Sequence, residues 1–296
     1  MRTPGHQDRR REQDVTDSHH TTLRTVASQR RGGGPVLRVF APVLLGLVVL
    51  SIWQLLTAGG RILPTLLPSP AAVFTRFADD LAAGQLLALT GTTLVEALLG
   101  SLLAAVIALP LGYLIAHWRV FDAAVSPYLA ASQAIPAVAV APLLVIWVGY
   151  GLLPIMLLCA LLVFFPVVLS TVLGIRGIRR ELIEAAELDG AAGVRMLRHI
   201  EWPLALRAVL TGIRNGFTLS ITGAVVGELV MGGNGLGMLL SVQASTVDTT
   251  GLFATLLMLC LLAVAIYLLL VAIEWASDPL RDPRRPRTTA RPKETA

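Results

Sequence analysis

Six long apolar stretches, divided by short polar or glycine-rich breaks, run through the chain from residue 37 onward. A helix needs roughly 20 consecutive apolar residues to cross a hydrocarbon core of about 30 Å. The stretches near 37–58, 86–116, 124–149, 152–175, 204–230 and 252–275 meet that length, and the pattern predicts six transmembrane helices. Pro127, Pro136 and Pro142 interrupt the third, while Pro154 and Pro166 mark the start and the middle of the fourth. Between the first two spans, Leu67-Pro68-Ser69-Pro70 leads into Val73, Phe74, Phe77 and Leu81 at helical spacing. Ser69 suits an N-cap and Pro70 the first helical position. A short amphipathic helix on the outer membrane surface is predicted there. Gly232, Gly233, Gly235 and Gly237 make the loop before the last span glycine-rich.

The ends have a different texture. Residues 1–34 are polar, rich in His, Arg and Gly, and lack apolar periodicity, as expected of a disordered basic cytoplasmic extension. They are too long and too polar for the n-region of a signal peptide, and the apolar run behind them is too long for an h-region. The predicted organisation is therefore an extension (1–34), a six-helix transmembrane domain (35–280) and a basic cytoplasmic tail (281–296).

Composition agrees with a membrane protein. Of 296 residues, 55% are hydrophobic and 15% charged, with a mean hydropathy of +0.72. A soluble domain carries about 25% charged residues. The net charge of +5 alone would admit a nucleic-acid partner, but the positions of the charges exclude that reading. The arginines gather before the first span, between Arg176 and Arg214, and in the tail; only Arg61 and Arg76 fall in the alternate loops. Cationic residues accumulate on the cytoplasmic side of spanning helices, which predicts both termini inside. Cys159 and Cys260 lie in apolar runs without metal-type neighbours and read as packing residues.

The chain has no chemistry for its own energy supply. A phosphate-binding loop needs a lysine after its glycine-rich turn, and the sole lysine is Lys293 in the tail. No metal-ligand spacing or nucleophile elbow occurs; His117 borders the second span and the other histidines lie in polar segments. No enzyme activity is expected of it.

The most informative polar segment separates the fourth and fifth spans. It reads Glu184-Ala185-Ala186, three residues, Gly190, nine residues, then Ile200-Glu201-Trp202-Pro203. Glu181, Glu184 and Glu187 recur near a helix start, where acidic groups favour the positive dipole end. Small residues at Ala185, Ala186, Ala191 and Ala192 allow close approach of another surface, and Gly190 and Gly193 divide the segment into two short pieces. Pro203 opens the fifth span.

This spacing resembles the EAA loop of bacterial ABC importer permeases, EAA…G…I-LP, with Trp202 where the family usually has Leu. The likeness extends over most of residues 40–280 to the nitrate, sulfonate and taurine branch. It rests on Leu67-Pro68-Ser69-Pro70, Gln133-Ala134-Ile135-Pro136 with Ala141-Pro142-Leu143, Trp147-Val148-Gly149-Tyr150-Gly151, Phe164-Phe165-Pro166, and Gly227-Glu228 with Gly235-Leu236-Gly237. That branch includes permeases for pyrimidine and other vitamin-precursor substrates. The resemblance implies an all-α, six-helix, type I importer-like permease. It would pair with a second permease copy, dock two ATPase subunits that hold ATP and Mg²⁺, and receive solute from an external binding protein. Glu184, Ala185, Ala186, Gly190, Ile200 and Pro203 would then form the contact with the ATPase.

Candidates for the translocation path are Glu96, Glu228, Gln133 and Pro136. An acid within a span is costly and faces a polar cavity or a partner. Glu228 has either a path or gate role or a helix-end hydrogen bond, and Glu96 is a departure where the family often has a basic residue. Gln133 and Ser132 precede Pro136, which frees backbone carbonyls that are tolerated only against protein or water. Thr218, Ser220 and Thr222 add polar positions to the fifth span, with bonding to their own helix as the simpler alternative. Glu274 and Asp278 are expected to reach toward the interface at the end of the sixth span. An ion-gradient-driven secondary transporter or channel, with Glu96 and Glu228 as ion sites, is the alternative function.

Overall fold

A computed structural model describes residues 35–59, 63 and 65–276. The extension 1–34, Arg61, Asp278, and the tail 281–296 with Lys293 lie outside the described residues. Helices, and no strands, occur among the described residues. The chain divides into two units, Met1–Ile62 and Leu63–Ala296.

The first unit contains α1 (Pro35–Ala58), 24 residues long. At 1.5 Å per residue that is about 36 Å, enough to cross a bilayer core.

The second unit opens with α2 (Pro70–Ala82), capped as its sequence predicts: the Ser69 hydroxyl accepts from the Ala72 N–H at 3.3 Å. Next come α3 (Gln85–His117), α4 (Arg119–Gln133), α5 (Ala137–Val148), α6 (Leu152–Arg176) and α7 (Arg180–Leu188). After the turn Val194–Met196 and the π-helical segment Leu197–Glu201 come α8 (Trp202–Met231), α9 (Leu236–Ser245) and α10 (Thr249–Ala276). α3, α6, the continuous 194–231 segment and α10 are each long and apolar enough to span a membrane; α4 with α5 make another if counted as one bent span. Among the described residues that makes four spanning helices, or five with the bent pair, and α1 is a further apolar helix where the pattern predicts the first span.

The core forms where α3, α6 and α8 meet, around Ala97, Leu158, Cys159, Ile221 and Ala224, and around Ala104, Ala108, Val163, Val167 and Val168. Lipid is as apolar as leucine, so helices in a membrane associate through close packing and hydrogen bonds. Gly100 lies so near α6 that a Cβ would overlap the Cys159 side chain and the Met156 carbonyl. Gly212 meets Ser170 in the same way. The Ser220 hydroxyl donates to the Ala97 carbonyl at 2.8 Å and joins α8 to α3. Thr218 and Ser132 instead bond carbonyls of their own helices, and Thr222 is exposed. Cys159 is buried and Cys260 exposed.

Two expectations are corrected, on the third span and Glu274, and the packing of α2 is added to. The third span, expected as one segment over 124–149, consists of two helices bent by 98°. Pro136 marks the break, because a proline bars the preceding residue from helical backbone; Pro127 and Pro142 stay inside their helices. The expected amphipathic helix α2 forms, and part of its apolar face packs on the bundle: Val73 is buried and Phe77 packs against the core, while Phe74 stays exposed. Two ion pairs hold α2 there: Arg76 reaches Asp80 at 2.9 Å and Asp248, just before α10, at 3.1 Å. Donating to Asp80 raises the Arg76 pKa above its ordinary value, with desolvation opposing. Finally, Glu274 does not reach out to an interface but pairs with Arg214 at 2.8 Å and accepts from Thr211 at 3.1 Å.

Candidate functional site

The segment between α6 and α8 is shaped by its glycines and its proline. α7 closes on a Schellman motif: the Gly190 N–H donates to the Glu187 carbonyl and the Ala191 N–H to the Ala186 carbonyl, each at 2.9 Å. That geometry places Gly190 in the left-handed region, at φ +79°, with nothing near its missing side chain. The second alanine and the glycine of the motif are thus the two ends of one helix stop. Gly193, at φ +54°, reverses the chain again before it resumes as a helix.

From Val194 the chain runs helically to Met231, 38 residues or about 57 Å at helical rise. A hydrocarbon core is about 30 Å thick, so one end of this rod must stand well clear of it. Pro203 explains the widened turn along the rod. Its missing N–H and its ring would disturb the carbonyl four residues back. The segment 197–201 relaxes into a π-turn, with the Trp202 N–H bonded to the Leu197 carbonyl five residues earlier.

The side chains of the segment divide between surface and core. Glu184, Ala185 and Gly190 are exposed, and Glu184 accepts from Arg180 one turn earlier at 2.8 Å. Ala186 is buried, while Ile200 and Pro203 are half-buried. The exposed ion pair is worth under about 1 kcal/mol, so Glu184 can exchange it for a partner at little cost. Arg176 anchors the start of the segment through Asp122 of α4 and the Ile115 carbonyl of α3, both at 2.8 Å.

Glu201 is the residue that the motif did not single out. It is 6% exposed, and its Oε1 lies 2.8 Å from Nε2 of His117 at the end of α3. Tyr113 stacks on His117 at 4.2 Å and its hydroxyl interacts with Glu201. Beside this cluster is a cavity of about 620 Å³ lined by Leu109, Pro110, Leu114, Ile175, Leu197 and Trp202, among others. The only sequence signal for Glu201 was an acid standing between two apolar residues, Ile200 and Trp202.

The path candidates fall in two places. Gln133 and Pro136 are exposed at the bend between α4 and α5. Glu96 and Glu228 are buried at 3% and 1% exposure and lie close enough for their carboxyls to interact. Glu228 accepts from the Thr93 hydroxyl at 2.7 Å and from the Gly237 N–H at 2.5 Å. Gly237 belongs to the first turn of α9, so this carboxylate serves a helix N-terminus. A Cβ on Gly235 would overlap the same carboxylate, which accounts for a glycine there. Glu96 is also one wall of a second cavity, of about 590 Å³, with Thr92, Gly151, Leu152 and Asn234. Among the described residues no group of three or more His, Cys, Asp or Glu is placed to hold a metal ion.

Comparison with known proteins agrees with this architecture. Residues 108–279, more than half of the chain, match the family model for the binding-protein-dependent transport system inner membrane component. The riboflavin transport system permease protein RibX of Chloroflexus aurantiacus is 44% identical over 84% of this chain and 92% of its own length. The putative aliphatic sulfonates transport permease protein SsuC of Bacillus subtilis is 31% identical over 72% of this chain and 77% of its own. In fold, the chain matches a solved structure of the inward-facing MetNI methionine ABC transporter. The TM-score is 0.60 at 20% identity, covering 66% of this chain and 97% of that one. The family sets aside a gradient-driven carrier, and the relatives of this chain are named as transport permeases. The chain is a multi-pass inner-membrane permease subunit of an ABC importer, a member of the binding-protein-dependent transport system inner membrane component family.

Proposed function

We propose that this permease docks a separate ATPase through residues 180–203 and that ATP and Mg²⁺ are held entirely by that partner. The observation that carries the reading is the exposed hook itself. α7 ends in a fixed glycine stop, and the chain returns as a rod longer than a membrane is thick. A short helix presented on a rigid stem suits a groove on another subunit. Glu184, Ala185, Ala186 and Gly190 form the hook, and Ile200 and Pro203 its junction with the stem. The hook then faces the cytosol, which places both termini inside, in keeping with the arginine distribution. An external binding protein delivers the solute, two permease copies surround the path within the lipid, and Glu96, Glu228, Gln133 and Pro136 contribute to that path.

The solute is of the flavin type. Identity supports this, at 44% with the relative named for riboflavin against 31% with the one named for sulfonates. So does the Glu96 cavity, whose wall carries an acid and no Arg, Lys or His to balance an anion.

The docking reading is tested by Glu184→Lys and Gly190→Val in cells that express the whole transporter. Both variants are expected to lose co-purification of the ATPase or ATP-driven uptake. A β-branched residue in the left-handed region costs about 1–2 kcal/mol, enough to distort the hook without unfolding the bundle. Normal assembly and uptake in both variants would reject the docking surface.

A further inference from the structure

We infer that Glu201 and His117 form the joint through which movement of the docking hook reaches the transmembrane bundle, with Glu201 as a positioning residue. This rests on the reading of 180–203 as the docking segment. Three observations at one place carry it.

The first is connectivity. The hook joins the bundle covalently only through α6 and through the π-turn into α8. Arg176 ties the start of the segment to the end of α3, and the Glu201–His117 contact adds a second lateral link there, from the π-turn, across 84 residues of sequence. A push on the hook can therefore reach α3 directly as well as along α8.

The second is the state of Glu201. Its Oε1 meets His117, whereas its buried Oε2 has no hydrogen bond of good geometry, the Tyr113 hydroxyl being the one donor near the carboxyl. A buried carboxylate oxygen left unpaired is unfavourable, and native proteins keep such a group only for a reason. A carboxylate held firmly at one oxygen and weakly at the other can exchange partners over a small shift, which is the kind of contact that conformational coupling requires.

The third is room to move. π-turns store a local mismatch in a helix and recur at functional positions. The 620 Å³ cavity beside the joint is walled by residues from α3, α6, the π-turn and α8. The widened turn can tilt into that space without displacing packed core. Tyr113, stacked on His117, keeps the imidazole facing Glu201.

The test uses the whole transporter with its ATPase, reconstituted in nanodiscs. Spin labels are placed at two exposed positions, Arg179 at the base of the hook and Leu87 at the far end of α3, in a chain carrying Cys260→Ser. The probe is ATP with vanadate, so the readout does not depend on the solute. In the parent, hook and α3 move together and the distance distribution between the labels is unchanged on trapping. His117→Phe and Glu201→Met remove the link while keeping volume, and in each the distribution shifts or splits on trapping. The double variant behaves like either single one, because the two residues act as one contact. Glu201→Gln, which retains an acceptor for His117, behaves like the parent.

The joint is overturned if both apolar variants keep the parent distribution while the ATPase still traps vanadate, or if their effects add in the double variant. A general loss of stability would lower the melting temperature without moving the labels selectively on trapping. The docking reading fails separately, if Glu184→Lys and Gly190→Val both keep normal ATPase assembly and uptake.

Discussion

Buried acids in this chain are placed by what they bond. Glu228 serves two donors from different helices, the Thr93 hydroxyl and the Gly237 N–H, and Thr93 in turn accepts from the Leu236 N–H at 3.0 Å. Thr93 and Glu228 together thus complete the first turn of α9. Replacing Glu228 by Ala leaves two buried donors without their acceptor, at about 1–3 kcal/mol for each. Purified Glu228→Ala is therefore expected to melt clearly below the parent in detergent, and Glu228→Gln, which keeps one acceptor oxygen, to fall between them. A parent-like melting curve for Glu228→Ala would show that the α9 cap is dispensable and leave Glu228 free for a path role alone. At the other end of the bundle, Arg214 is held between Glu274 at 2.8 Å and the Tyr267 ring at 5.4 Å, a site where charge and π-face both serve one cation.

At the scale of elements, stability comes from how closely three helices approach. α3 and α6 touch at Gly100, and α6 and α8 at Gly212, where any side chain meets a neighbour's backbone or Cβ. Backbone does not yield as a long side chain does, so Gly100→Val and Gly212→Val are expected to abolish folded, monodisperse protein on size-exclusion chromatography. At Gly91, also in α3, an added Cβ meets nothing within 4 Å, and Gly91→Ala is the control expected to behave as the parent. The π-turn is likewise an element-level feature. It arises because Pro203 sits inside a continuous rod, and it gives Glu201 its approach to His117.

At the scale of the whole molecule, the proposed cytosolic position of the hook is read by cysteine labelling. With Cys260 replaced by Ser and Cys159 buried, a single cysteine at Ala192 is expected to resist a membrane-impermeant maleimide on intact cells and to react after permeabilisation. A cysteine at exposed Thr246, at the opposite end of the bundle, is expected to react in intact cells. The reverse pattern would turn the topology over and remove the cytosolic docking surface.

Much of this fold was legible in the amino-acid sequence, because the features concerned are local. Length and apolarity fix the spans, Ser69 and Pro70 fix the start of α2, and the Glu-Ala-Ala…Gly spacing fixes a helix that stops at a left-handed residue. Each follows from hydrogen bonds and backbone limits within a few residues. The bend at Pro136, the half-burial of α2, the Arg214–Glu274 pair and the Glu201–His117 contact were decided only by tertiary structure. Helices that are apolar all round carry no polar stripe to say which face turns inward. Their rotation is set by where glycines and alanines let backbones meet, and that rotation brings acids, arginines and a histidine from distant parts of the chain to their partners.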